Sequence, residues 1–139
     1  MRDFSEFLDA GPCRARLAGA AALPGSPLVA YDDPCHLCHG QGIRSPPRRL
    51  LDSVRGLRRV EMAGSESCCG SAGIYALLRP ATAAEVLDPK IRALVETGAA
   101  TLVTANPGCQ MQWEAGLARA GVDVRVAHVA EILRESLGD

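Results

Sequence analysis

Lysine is almost missing from this sequence: of 15 basic residues only Lys90 is not arginine, which reads as a base-composition bias. Net charge is missing as well. Sixteen acidic residues leave the chain at −1, and a near-neutral chain lacks the basic footprint of an extended nucleic-acid binder. No apolar run is long enough for a transmembrane helix, because the longest uncharged stretch, Gly98 to Trp113, contains Asn106-Pro107-Gly108 and two glutamines. The start carries Asp3, Glu6 and Asp9 where a secretory signal needs a positive region and then an apolar one. These absences point to the cytoplasm. In that reducing compartment six cysteines read as ligands or reactive thiols and not as disulfides.

What is present fits a single α/β domain, since 139 residues can bury a real core. A short amphipathic piece (Phe4, Phe7, Leu8) and an alanine-rich stretch precede Pro24-Gly25-Ser26-Pro27, so residues 1–24 are expected to be a leader and 25–139 the folded domain. Four strands are predicted, over 28–31, 57–62, 101–105 and 122–127, each followed by a loop and a helix. Ser45-Pro46-Pro47 starts one helix, and Asp88 with Pro89 is expected to cap and open another. Repeated strand–loop–helix units predict a four-stranded, mainly parallel sheet with right-handed crossovers and helices on both faces.

That topology gathers the chemistry. Cys35 and Cys38 follow the first strand, Cys68-Cys69 the second, Cys109 the third and His128 the fourth. In a parallel sheet these loops all leave at the carboxyl edge, where open α/β sheets bind ligands. Adjacent cysteines in the loop Ser65 to Gly73 suit two thiolates offered to one centre, with glycines letting the backbone come close. The two Cys-x2-Cys pairs of a zinc ribbon and the tight cysteine run of a ferredoxin are both absent, so tetrahedral zinc and iron–sulfur chemistry stay equally open at this point.

The cysteine order resembles the cysteine-rich CCG domain. The segments that carry the likeness are Tyr31-Asp32-Asp33-Pro34-Cys35-His36-Leu37, His39-Gly40-Gln41-Gly42, Cys68-Cys69-Gly70-Ser71-Ala72-Gly73-Ile74-Tyr75 and Asn106-Pro107-Gly108-Cys109. This domain occurs in a subunit of heterodisulfide reductase, in the lactate-utilisation iron–sulfur protein and in the glycolate oxidase iron–sulfur subunit, whose C-terminal repeat these segments resemble most. The resemblance implies an iron–sulfur cluster, of [4Fe–4S] type, held by Cys35, Cys68, Cys69 and Cys109, with Cys38 as a further thiol. It also implies electron transfer from a flavoprotein subunit carrying FAD towards quinone, with other iron–sulfur modules in the same complex and at most peripheral contact with the inner face of the membrane. The sequence departs from the heterodisulfide reductase pattern at Gln112, where a last cysteine would stand, and it shows one repeat without a ferredoxin-like module.

Two rival readings rest on Cys38. Cys35-His36-Leu37-Cys38-His39 matches a c-type haem signature, and Cys38 to Arg44-Ser45 matches the Cys-x5-Arg loop of phosphatases and arsenate reductases, with Cys38 as nucleophile and Arg44 as oxyanion clamp. Bland readings cover the remainder. His36, His39 and His128 would orient loops, Arg44, Arg48 and Arg49 would be a solvated helix start, Met111, Trp113 and Tyr75 would be packing residues, and Cys13 a small apolar one.

Overall fold

A computed structural model describes residues 2–138. The chain forms α1 (Phe4–Ala10) and α2 (Cys13–Gly19), then β1 (Leu28–Asp32), a π-helical turn (His36–Gly40), α3 (Ser45–Asp52) and β2 (Arg58–Val60). Next come α4 (Tyr75–Leu78), α5 (Pro80–Thr97), β3 (Thr101–Thr104), α6 (Pro107–Ala120), β4 (Arg125–His128) and α7 (Val129–Leu137). The sheet order is β2-β1-β3-β4, and all three pairings are parallel. Among the described residues no helix is long and apolar enough to cross a membrane.

Two cores lie on the two faces of the sheet, as alternation along each strand requires. Val29, Tyr31, Val103 and Ala127 point to one face, where Leu50 and Leu51 of α3 and Val129, Ile132 and Leu133 of α7 cover them. Ala30 and Leu102 point to the other, under Leu87, Ile91 and Leu94 of α5 and Trp113 and Leu117 of α6. The chain moves from β1 to β2 one way and to β3 the other, so the strand order reverses between β1 and β3. Crevices of that kind are where open α/β sheets hold ligands.

Two expectations change. The segment expected to be a leader carries two helices that pack against α3 and α7, and Leu17 is fully buried in the first core with Leu50, Val54 and Leu133. Arg49 of α3 ion-pairs with Asp9 of α1 and fastens the same contact. Asp88 and Pro89 do not begin a helix either, because α5 runs unbroken from Pro80 to Thr97 with Pro89 inside it. A proline in a helix interior costs about 3 kcal/mol. Burial of Leu87, Ile91 and Leu94 on either side contributes roughly 1.5–3 kcal/mol each, and that sum wins.

Truncating Leu17 to alanine is therefore expected to lower the unfolding free energy by about 2–5 kcal/mol in a denaturant titration, as for any well-packed core leucine. An effect near zero would mean that α1 and α2 do not belong to the cooperative core.

Candidate metal centre

All four strands point the same way, so the loops after β1, β2 and β3 leave at one edge. They enclose a cavity of about 370 Å³ walled by Cys35, His36, Cys68, Cys69, Ser71, Ala72, Gly73, Asn106, Gly108 and Cys109. Four thiols from three loops face it, and among the described residues no carboxylate does. Soft sulfur donors without hard oxygen competitors suit zinc, copper(I) or an iron–sulfur cluster. Among the described residues no three Cys, His, Asp or Glu side chains are drawn together as one metal ion would require.

Each cysteine is placed by local backbone chemistry. Asn106 caps α6, its side-chain oxygen accepting from the Cys109 amide at 3.0 Å, and Pro107 fills the first helical position where no N–H is needed. Cys109 thus sits in the first turn of α6, at the positive end of the helix dipole. The Asn106 amide also meets His36 Nδ1 at 3.3 Å and joins the β1 and β3 loops. After β2, Gly70 has φ +86°, and its N–H donates to Cys68 Sγ at 3.3 Å. A Cβ on Gly70 would lie 2.6 Å from the Ala83 carbonyl oxygen, so only glycine lets the double-cysteine loop pack against α5.

Cys69 and Cys109 are buried with their sulfurs 3.3 Å apart, whereas Cys68 is exposed. The Cys109 hydrogen bond brings Cys69 down to about 7, helped by the Ser71 amide and the nearby Lys90 ammonium. Cys109 is held well above the usual thiol range by that same bond and by burial. The pair therefore shares one proton. Cys35 is pushed up by burial and by the neighbouring Cys68.

Beneath the cavity lies a polar network whose centre is Lys90. Its ammonium is buried in α5 and meets Asp32 Oδ1 at 2.5 Å, the Ser65 carbonyl at 3.0 Å and the Ser67 carbonyl. Two of these contacts are hydrogen bonds to carbonyls and the third is an ion pair, with no aligned hydrogen bond at Asp32 Oδ1. The other Asp32 oxygen accepts from the Trp113 indole at 3.0 Å. Burial pushes the Asp32 carboxyl up, while Lys90 and Trp113 pull it down. Asp33 next to it takes a two-pronged ion pair from Arg48 (2.7 and 2.6 Å) and a hydrogen bond from Ser65 Oγ at 3.0 Å. A residue-by-residue reading of the sequence misses this network. Its one signal is the isolation of Lys90 among arginines, which base composition also explains.

The other candidates separate. Cys38 is buried away from the cavity, its sulfur 3.9 Å from His39 Nε2, and burial pushes its thiol up. Arg44 spends its guanidinium on Glu66. A buried thiol of raised pKa beside a neutralised arginine is not a phosphatase nucleophile, and a cysteine facing the core does not complete a haem attachment pair. His128 caps α7, accepting from the Ala130 amide at 3.2 Å, and does not reach the cysteines. His39 bonds the Glu66 carbonyl at 2.8 Å. Arg48 is no solvated helix start, because it anchors Asp33, Glu61 and the face of Tyr31. Trp113 is core, but Met111 is 70% exposed and Tyr75 39% exposed, so neither packs inside.

Comparison with known families agrees with this arrangement: residues 29–114, from β1 to the turn of α6 beyond Cys109, match the CCG cysteine-rich domain. The chain belongs to the CCG cysteine-rich domain family. A probable glycolate oxidase iron-sulfur subunit of Bacillus subtilis (strain 168) is 41% identical over 119 residues, 84% of this chain and 27% of that protein. Lactate utilization protein A of Oceanobacillus iheyensis is 36% identical over 105 residues, 76% of this chain and 43% of the relative. A fumarate reductase (CoM/CoB) subunit of Methanothermobacter marburgensis is 33% identical over 138 residues, 99% of this chain and 27% of the relative. This CCG chain thus spans between about a quarter and two fifths of the length of these relatives.

The cluster-free chain should gain one thiolate, read by its ultraviolet absorbance, as pH rises through about 7. Cys69→Ser should abolish that step, and Cys109→Ala should move it up towards the ordinary cysteine range. A step near 7 that survives Cys69→Ser would contradict the shared proton.

Proposed function

We propose that this CCG chain is an iron–sulfur electron-transfer module of a glycolate, or other 2-hydroxy acid, oxidase or dehydrogenase. Cys35, Cys68, Cys69 and Cys109 would hold the cluster, of [4Fe–4S] type. The observation that carries this reading is a cavity faced by four thiols from three loops and, among the described residues, by no carboxylate. The names of the similar proteins, two of them subunits and one of those an iron-sulfur subunit, support the same class.

When bound, such a cluster supplies a one-electron carrier. The chain's own residues hold and shield it. Cys69 and Cys109 form the buried floor, and Cys68 the solvent-facing rim. Amide N–H groups directed at the sulfurs of Cys68 and Cys69 stabilise negative charge there, which is the usual means by which a protein adjusts such a centre.

Hydride abstraction would belong to a flavoprotein partner carrying FAD, and quinone would lie downstream, reached through further iron–sulfur modules. A docking surface adjoins the cavity: Ile74, Leu77, Leu78 and Met111 are all at least 66% exposed. Leu77 and Met111 line a second hollow that shares Ser71, Gly73 and Gly108 with the first. Exposed apolar side chains grouped beside a site mark a surface that another protein covers. Six free cysteines support a reducing cytoplasm as its setting, with membrane contact at most peripheral and made through partners.

Purified without oxygen and reconstituted, the chain is expected to be brown with about four irons and four sulfides per chain. Serine at Cys35, Cys68, Cys69 or Cys109 should lower both contents, and serine at Cys13 or Cys38 should leave them unchanged. A colourless chain holding one zinc would contradict the assignment.

A further inference from the structure

We infer that Lys90 is the positioning residue of the cysteine site: its buried ammonium fixes the three cysteine-bearing segments relative to one another and sets the reduction potential of a cluster held there. This rests on the iron–sulfur reading above. The geometry places Lys90 where all three segments can be reached. Ser67, whose carbonyl it binds, directly precedes Cys68. Asp32, its ion-pair partner at 2.5 Å, lies three residues before Cys35. Trp113, which donates to the far oxygen of Asp32 and lies 6.0 Å below the ammonium, stands one helical turn after Cys109. One side chain thus touches supports of all three loops.

The charge has a second effect. Lys90 is 4% exposed and Asp32 is 1% exposed, so water screens neither from the cavity above. They act on the Cys69 sulfur in opposite senses, the ammonium favouring negative charge there and the carboxylate disfavouring it. Reduction by dithionite adds one electron to the cluster and oxidises dithionite, with no proton required at Lys90. A buried cation stabilises the added charge and raises the potential, and a buried anion lowers it. A residue that merely supported the fold would not give its two partners opposite signs.

The test is the midpoint potential of the reconstituted full chain in four variants. Lys90→Met should shift it negative, Asp32→Asn should shift it positive, the double variant should return towards wild type, and Lys90→Arg should stay near wild type even if less cluster is loaded. If Lys90→Met does not fold, Asp32→Asn and the double variant decide, and a double variant that stays at the Asp32→Asn value overturns the inference. Shifts of the same sign, or none, in variants that load normally overturn it while leaving the iron–sulfur reading intact. Wild-type chain that takes up no cluster overturns that reading and this inference with it.

Discussion

The cysteine edge depends on one buried ion pair. Taking an ammonium and a carboxylate out of water costs several kcal/mol per ion, and the pair is tolerated only when every remaining donor and acceptor is met. Lys90 and Asp32 meet most of that condition: the ammonium donates to two carbonyls and ion-pairs with Asp32 Oδ1, which receives no aligned hydrogen bond, and the other carboxylate oxygen accepts from Trp113. Removing one member of such a pair typically costs about 3–5 kcal/mol, more than the whole margin left by many surface contacts. The ion pair is therefore costly to keep and costlier to break. Its acceptors are backbone carbonyls of the double-cysteine loop, so the energy is committed to that loop's shape.

The parallel sheet supplies the frame on which this works. The order β2-β1-β3-β4 puts the switch point between β1 and β3 and brings Cys35 and Cys109 to its two sides, while the β2 loop reaches across with Cys68 and Cys69. The helices that follow β1 and β2 lie on opposite faces, so the cavity opens between two independently packed cores. Buried Cys69 and Cys109 against exposed Cys68 give the site an inside and an outside. The exposed apolar side chains of Leu77 and Met111 line the neighbouring hollow.

Much of this was legible in the chain. Strand–loop–helix order and turn residues identified the parallel sheet, and the same order put Cys35, Cys68, Cys69 and Cys109 at one edge, because parallel strands leave no other place for their loops. Other features were not legible, for definable reasons. Asp88-Pro89 reads locally as a helix start, and only the buried stripe on both sides of it shows why α5 runs through. Pro24-Gly25-Ser26-Pro27 marks a turn, but a turn does not say whether the preceding helices pack, and Leu17 does so through contacts distant in the chain. Cys38 follows the right strand yet turns inward in the π-helical segment, and no periodicity over so short a segment could show that. Lys90 was hardest of all, since its three acceptors lie on two other segments and two are carbonyls, which every residue carries.

Iron-edge X-ray absorption on chain reconstituted without oxygen, with Cys13 and Cys38 both replaced by serine, tests the central claim most directly. The expected result is a first shell of sulfur alone and a clear iron–iron contribution, as for a cluster held by the four proposed cavity cysteines. A first shell containing nitrogen or oxygen without an iron–iron contribution, or loss of iron with the two serines, would contradict it.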